Sequence, residues 1–170
     1  VHGFIVNNVM MPFIEEPAWM LDAGETTVER ADASMVYDRG YPMGPFELND
    51  FGGIDIAQHF LENSDRASPP PIEAKVEAGD LGQKSGQGFY DWDDGGPTYG
   101  PEDAGGFDSL RVEARMINEA ARLVGEDVAT AADVDLGTRL GLRFPEGACR
   151  LGDQLGLDRV LEKLRTLHEE

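Results

Sequence analysis

The amino-acid sequence predicts an all-α protein of nine or ten helices. Apolar residues recur at helical spacing over long stretches, beginning with Ile5, Val9 and Phe13. Turns rich in glycine and proline separate these stretches. The strand–helix alternation that builds a nucleotide-binding parallel sheet is not found in the sequence. We therefore expect a helical protein rather than an α/β one.

Each helix can be placed by its periodicity and by the residues that break it. The first helix is expected over residues 4–23, and Pro12 and Pro17 are expected to kink it or to break it into two pieces. A rigid extended connector of prolines follows the fourth helix. The later helices are predicted over about 27–39, 45–51, 54–63 and 71–78, with further helices beyond residue 106.

An internal repeat indicates two copies of one helical unit. Gly3-Phe4 recurs as Gly106-Phe107, at an offset of 103 residues. The same offset relates a further set of pairs: Pro42–Pro145, Gly44–Gly147, Leu48–Leu151, Asp50–Asp153, Gly53–Gly156 and Asp55–Asp158. So many matches in one order, at nearly one offset, are hard to produce by chance.

Part of the repeat is matched at a different offset. Asp32 is paired with Asp133, and Gly40 with Gly141, at an offset of 101 residues, which requires a two-residue insertion afterwards. A stretch rich in Gly, Pro and Asp lies between the copies and is expected to be a linker. The predicted domains are a first copy over 1–95, a linker over 96–105 and a degenerate second copy over 106–170.

The charge of the chain excludes several classes of partner. With 33 acidic and 14 basic residues, the net charge is −19, which disfavours nucleic acids and anionic membrane surfaces. No apolar run is long enough to span a bilayer. A single cysteine, Cys149, indicates a reducing, cytoplasmic location. The acid excess and the scarcity of lysine are typical of a protein from a high-salt cytoplasm, although an ordinary acidic domain is the alternative.

Spacing alone identifies no base, nucleophile or metal site. The three histidines have no partner at metal-ligand spacing, so no metal is predicted. Gly86-Gln87-Gly88 resembles part of a phosphate-binding loop, but no strand is predicted before it. We expect these glycines to form a tight turn that returns Phe89 and Tyr90 onto the helices.

Three motifs, by contrast, are specific. They are Gly3-Phe4-Ile5-Val6-Asn7; Gly40-Tyr41-Pro42-Met43-Gly44-Pro45-Phe46-Glu47-Leu48 with Asp50 and Asp55; and Gly82-Gln83-Lys84-Ser85-Gly86-Gln87-Gly88-Phe89-Tyr90. In this order and spacing the chain resembles the C-terminal helical domain of the 3-hydroxyacyl-CoA dehydrogenases, a fold like the C-terminal domain of 6-phosphogluconate dehydrogenase. The resemblance implies two tandem copies of that domain, packed as an intrachain pseudo-dimer.

The resemblance also implies an activity. Enzymes of this family oxidise (S)-3-hydroxyacyl-CoA to 3-oxoacyl-CoA in fatty-acid β-oxidation and pass the hydride to NAD. Their N-terminal Rossmann domain binds NAD and supplies a catalytic His–Glu pair. This sequence lacks that domain, so the resemblance implies a substrate-binding and dimerisation portion that is inactive alone. Its implied partners are an acyl-CoA and its own N-terminal domain, with no cofactor-binding residue of its own.

The site residues follow from the same resemblance. Asn7 matches the asparagine that the family places at the domain cleft, where it hydrogen-bonds the acyl group and orients the substrate. Its match in the second copy is Leu110, so that copy is expected to have lost the function. The other implied substrate-binding residues, which would shape the acyl pocket, are Pro42, Met43, Gly44 and Pro45.

Two alternatives remain open at the level of sequence. One is a 3-hydroxybutyryl-CoA dehydrogenase that uses NADP in the synthetic direction. The other is a non-catalytic helical interaction module that keeps the fold. The resemblance likewise leaves a homodimer and an intrachain pseudo-dimer as two expected forms of assembly.

Overall fold

The computed structural model of the protein describes residues 5–64 and 66–169. Within these ranges the chain forms nine α-helices and no β-strand, which confirms the all-α prediction. Single 3-10 turns lie at Gln83–Ser85 and Pro101–Asp103, and a π-helical turn at Ser34–Asp38 extends the second helix. The helices are α1 (Ile5–Asp22), α2 (Val28–Ala33), α3 (Pro45–Gly52), α4 (Ile54–Asn63), α5 (Pro70–Ala78), α6 (Ser109–Gly125), α7 (Ala131–Gly141), α8 (Ala148–Leu155) and α9 (Leu157–Glu169).

The predicted break in the first helix is wrong. α1 continues through Pro12 and Pro17 as one helix. Each proline lacks the N–H that would bond to the carbonyl four residues earlier, which weakens an isolated helix. Here the surrounding side chains are almost fully buried, among them Met11, Phe13 and Ala18. Burial on all sides stabilises the helix enough to carry both prolines.

The helices confirm the internal repeat. Both α2 and α7 begin after a threonine cap, Thr27 and Thr130, whose side chain accepts the backbone N–H three residues on. These caps are 103 residues apart, and α3 and α8 keep that offset at both ends, as α4 and α9 do at their first residues. The matched elements are α1 with α6, α2 and its π-helical turn with α7, α3 with α8, and α4 with α9.

The backbone φ angles show that the offset of 101 residues predicted for Gly40 is wrong. Gly24 and Gly40 have positive φ angles of 73° and 79°. In the second repeat the two non-glycine residues with positive φ, Asp127 and Arg143, lie 103 residues further on, each at 55°. Gly40 therefore matches Arg143 and not Gly141, and no insertion is needed. The sequence comparison failed here because the backbone conformation was kept while the glycine was not.

The buried carboxylate of Asp32 closes the turn before α3. Its contacts show that the predicted pairing of Asp32 with Asp133 is also wrong. Asp32 Oδ1 and Oδ2 accept the backbone N–H groups of Phe46 and Glu47 at 2.8 and 2.9 Å. They thereby satisfy two of the donors that a helix N-terminus leaves without intrahelical partners. In the second repeat Asp135, not Asp133, caps α8 in the same way, since its Oδ1 accepts from the Cys149 N–H at 2.8 Å.

The described chain falls into two packing units, whose division differs from the repeat. One unit joins the residues up to Phe13 with those from Asp108 onward, and the other comprises Ile14–Phe107. In the first of these, the rings of Phe13 and Phe144 lie 5.0 Å apart. A Cβ added to Gly137 would lie 3.1 Å from Val6, so α7 approaches α1 closely there. The boundaries at 95 and 106 divide the chain by sequence repeat and stay a prediction.

Replacing Arg143 with glycine is expected to stabilise the protein. Arg143 is exposed and holds a left-handed conformation that disfavours side chains with a Cβ. Arg143→Gly should raise the free energy of unfolding by about 0.5–1 kcal/mol in urea titration, because the removed strain exceeds the added chain entropy. Gly40→Ala is the matched control and should lower it, since that position has open space but the same positive φ. A loss of stability in Arg143→Gly would contradict the assigned conformation.

Asp32 is expected to make stability depend on pH. Burial raises the pKa of the Asp32 carboxyl from 3.8 to about 7, against the opposing effect of its hydrogen-bond donors. Between these values the folded state holds a proton that the unfolded state has lost, so the free energy of unfolding should fall as pH rises from 4 to 7. Asp32→Asn should have a lower free energy of unfolding than the wild type, and that free energy should fall less between pH 4 and 7. Tyr90→Phe keeps the carboxyl and should keep the decline; equal slopes in the wild type and Asp32→Asn would refute the assignment.

Candidate functional site

The turn that contains the predicted pocket residues is built against α2. Gly44 lies so close to Asp32 that an added Cβ would come within 2.2 Å of its carboxyl carbon, so only glycine fits. The Tyr41 ring is buried, and its backbone N–H bonds to the Met35 carbonyl at 3.1 Å. Pro45 begins α3, a position where a missing N–H has no cost. The turn is therefore held rigidly between two helices.

Within this turn the four predicted residues differ in exposure. Gly44 and Pro45 are buried, Met43 is half-buried, and Pro42 is exposed. The structure thus brings them together in one turn, with two of them facing the interior. Pro42 and Met43 are the members of the turn that are accessible to another molecule.

A second buried carboxylate, Asp50 on α3, holds the irregular segment over residues 82–92. Its oxygens accept the backbone N–H groups of Phe89 and Tyr90 and the indole N–H of Trp92, all at 2.9 Å. Burial raises the pKa of Asp50, and these three donors and the positive charge of Lys75 act in the opposite direction. Hydrogen bonds to a buried carboxylate are among the stronger ones in proteins, so Asp50 clamps this segment onto α3.

The glycines of the segment allow this close approach. A Cβ on Gly88 would lie 2.4 Å from Asp50 Oδ1, and one on Gly82 would lie 2.2 Å from the Asp50 carbonyl oxygen. Gly86 has a φ of 81° and faces the Asp93 carboxylate in the same manner. The predicted tight turn that returns Phe89 and Tyr90 is confirmed.

These glycines do not fit a nicotinamide dinucleotide. The space that they leave open is filled by the carboxylates of Asp50 and Asp93, which would repel a pyrophosphate. In the described ranges no strand precedes the Gly86–Gly88 turn, as a dinucleotide-binding loop would require. The Gly86–Gly88 turn therefore offers no cradle for the cofactor.

Aromatic rings close the space between α2, α3 and the segment. The Phe46 and Phe89 rings lie 4.7 Å apart, and the Tyr90 hydroxyl donates to Asp32 Oδ2 at 2.8 Å. The Tyr99 ring lies beside the rings of both Tyr37 and Tyr90, and its hydroxyl donates to Glu47. Burial and the neighbouring carboxylates raise the pKa of both Tyr90 and Tyr99, so both hydroxyls act as donors.

An ion pair joins the far end of the segment to α4. Lys84 Nζ contacts Asp55 Oδ1, and this contact lowers the pKa of the Asp55 carboxyl. Both side chains are well exposed, so the pair adds little stability. The ion pair does, however, set the direction in which the segment over residues 82–92 crosses α3 and α4.

Asn7 lies on the first turns of α1, in the other packing unit from the proline turn. It is half-buried, and its side-chain amide makes no hydrogen bond to any described residue. The next residue, Asn8, is buried. An accessible amide with both its donor and its acceptor free is suited to hold a polar group of a ligand.

Sequence reasoning missed Asp32 and Asp50 as organisers of the site. Asp32 follows Glu29 and Arg30, and Asp50 follows Glu47, so each resembled an ordinary exposed acid and nothing marked it as buried. The available signal was the repeat, because both carboxylates recur in the second copy as Asp135 and Asp153.

The described residues contain neither a metal-binding cluster nor a helix able to span a membrane. Among residues 5–64 and 66–169, no group of three or more His, Cys, Asp or Glu side chains is arranged to hold a metal ion. None of the helices described has the length and apolar character needed to cross a bilayer.

Comparison with known proteins agrees with the motifs. The model of the family "3-hydroxyacyl-CoA dehydrogenase, C-terminal domain" matches residues 3–92 and again residues 106–170. The fatty acid oxidation complex subunit alpha of Vibrio cholerae is 31% identical over 193 aligned residues, covering 99% of this chain and 27% of the relative. A 3-hydroxybutyryl-CoA dehydrogenase of Mycobacterium tuberculosis is 41% identical over 95 residues, covering 52% of this chain and 33% of the relative.

A solved structure supports the fold over the whole length. The crystal structure of 3-hydroxybutyryl-CoA dehydrogenase from Escherichia coli superposes with a TM-score of 0.84 at 23% identity, covering 99% of this chain and 57% of that one. The chain spans about a quarter to a third of the length of the curated relatives it matches. Because the family model matches two segments that together hold most of the residues, the chain belongs to the 3-hydroxyacyl-CoA dehydrogenase family, by its C-terminal domain.

Proposed function

We propose that this chain is the substrate-binding and dimerisation portion of an NAD-dependent 3-hydroxyacyl-CoA dehydrogenase. The whole enzyme would oxidise (S)-3-hydroxyacyl-CoA to 3-oxoacyl-CoA in fatty-acid β-oxidation, in the cytoplasm. The observation that carries the proposal is the free, half-buried amide of Asn7 within the first of the three family motifs.

The role of Asn7 follows from its chemistry. Its amide N–H would donate to an oxygen of the acyl group and hold the substrate in one orientation. A neutral amide does this without adding a charge that would change the proton affinity of a nearby base. By the resemblance to the family, the hydroxyl proton would be removed by a histidine of the N-terminal domain.

The proline turn has a supporting role in this proposal. Its accessible members, Pro42 and Met43, offer apolar surface suited to an acyl chain. Gly44 and Pro45 hold that surface in place through the Asp32 cap. We assign the four residues to the acyl pocket on this basis.

NAD would be bound by an N-terminal Rossmann domain that is a partner of this chain. When bound, NAD would accept the hydride from the substrate carbon. The net charge of −19 disfavours contact between this chain and the pyrophosphate of the cofactor, which supports a separate cofactor domain. The second copy, in which Leu110 takes the place of Asn7, would serve assembly as an intrachain pseudo-dimer.

The proposal is tested on the full-length protein that contains this chain. Reduction of acetoacetyl-CoA is followed with NADH and, separately, with NADPH. Activity that prefers NADH is the expected result, and a preference for NADPH would favour the synthetic 3-hydroxybutyryl-CoA alternative. Absence of reduction with either cofactor would refute the dehydrogenase function and favour a non-catalytic helical module.

Asn7→Ala in that protein is expected to lower kcat by about 100-fold, the effect of removing one donor that stabilises the developing charge. The melting temperature should not change, because the amide makes no hydrogen bond to described residues. Leu110→Asn is the matched control: it changes the corresponding helix position in the second copy and should leave kcat unaltered. Unchanged kinetics in Asn7→Ala would remove Asn7 from the site.

A further inference from the structure

The first turns of α1, which carry Asn7, pack with the second repeat. Residues 5–13 share one packing unit with residues 108–169, whereas the rest of α1 belongs to the other unit. Val6, the residue before Asn7, is half-buried there and makes the close approach to α7. The helix that presents the Asn7 amide is therefore placed by contacts with residues more than 100 positions further along the chain.

Two residues on one face of α7 receive the side chain of Val6. A Cβ added to Gly137 would lie 3.1 Å from Val6 Cγ2, and a Cβ added to Gly141 would lie 3.3 and 3.4 Å from Val6 Cγ1 and Cγ2. The two glycines are four residues apart, so they face the same way. Carbon atoms in ordinary contact are about 3.5–4.0 Å apart, so a methyl group at either position would push α1 away from α7.

The corresponding helix of the first repeat is built differently. At the offset of 103 residues, Gly137 matches Ser34 and Gly141 matches Asp38. Ser34 Oγ accepts the backbone N–H of Gly105 at 3.0 Å, and the stretch forms a π-helical turn. α7 is a regular α-helix up to Gly141. The surface that receives Val6 is thus a property of the second repeat and not of the repeated unit in general.

A second contact holds α1 two turns further on. The Phe144 ring, in the turn after α7, lies 5.0 Å from the Phe13 ring. Both side chains are almost fully buried, and aromatic pairs at this separation stabilise beyond the burial of their area. Val6 and Phe13 are seven residues apart and so lie on one face of α1. The stretch that carries Asn7 is therefore held at both of its ends.

We propose that α7 and the turn after it position Asn7 for the substrate. The Asn7 amide makes no hydrogen bond to any described residue, so its place is set by the helix that carries it. Gly137, Gly141 and Phe144 are positioning residues, which act through Asn7 without touching the substrate. This role rests on the proposed function, in which Asn7 orients the acyl group. It gives the second repeat a part in the reaction in addition to assembly.

A small displacement of α1 is enough to affect the reaction. The amide of Asn7 must meet an oxygen of the substrate within hydrogen-bond distance and at a favourable angle, and both limits are narrow. A misplacement of about 1 Å at a reacting centre can cost about 100-fold in rate. The contact of Val6 with the two glycines leaves no room for an added methyl group, so substitutions there should move Asn7 by part of that distance.

The test adds two methyl groups to α7 in the full-length protein that contains this chain. Gly137→Ala with Gly141→Ala should lower kcat for acetoacetyl-CoA reduction about tenfold, the effect of a displacement smaller than 1 Å. KM should change little, because the other contacts of the substrate are kept. Alanine favours a helix over glycine, so the variant should fold. Gly125→Ala on α6 is the matched control, since a Cβ there meets no other group within 4 Å, and its kcat should equal that of the wild type.

Two further variants separate positioning from a general loss of stability. Val6→Ala removes the two methyl groups that the new alanines would strike, so its addition should recover most of the lost kcat. In the Asn7→Ala background the two alanines should cause no further fall in kcat, because their effect passes through the missing amide. By melting temperature, the two alanines should be tolerated better with Ala at position 6 than with Val.

Four results in an active wild type would overturn the positioning role. They are an unchanged kcat in the double alanine variant, no recovery with Val6→Ala, an undiminished fall in kcat in the Asn7→Ala background, and equal effects on melting temperature with either residue at position 6. A wild type that does not reduce acetoacetyl-CoA is a different outcome: it refutes the proposed function, and the positioning role with it.

Discussion

The architecture depends on one buried carboxylate at the N-terminus of a helix. α3 begins inside the protein, where water does not reach its free N–H groups, so an acceptor must be built into the fold. Asp32 supplies it from the preceding helix, and the contact is close enough to demand glycine at position 44. The proline turn, the direction of α3 and the place of Asp50 all follow from that contact. Its recurrence with Asp135 and Gly147 shows that the constraint belongs to the repeat.

Much of this fold could be read from local sequence signals. α3, α4 and α5 begin and end within one or two residues of their predicted limits, since prolines and glycines punctuate them sharply. The repeat and the all-α class were likewise predictable from spacing. The motifs of residues 40–48 and 82–90 predicted that the two segments matter, and the structure explains how they meet, through Asp50 and Tyr90.

The remainder depended on interactions between residues far apart in sequence. α1 stays whole through two prolines because it is buried, which local propensity does not report. The offset of 101 residues was wrong because the match was made on residue identity, glycine with glycine. The residue that shares the positive φ of Gly40 is Arg143, not Gly141. Asp50 stands beside a specific motif and both acids stand in the repeat, but only their burial and their contacts with Tyr90, 58 residues from Asp32 and 40 from Asp50, reveal their roles.

The shared first helix has a consequence for how the chain folds. The residues up to Phe13 pack with those from Asp108 onward, while the second half of α1 packs with the stretch up to Phe107. During synthesis residues 5–13 emerge before residues 108–169, which are the part of the chain that covers their side chains. Such long-range contacts are formed slowly, and the two repeats cannot mature one after the other as independent domains. Although the sequence repeats, the packing of residues 5–13 is completed only by residues of the second repeat.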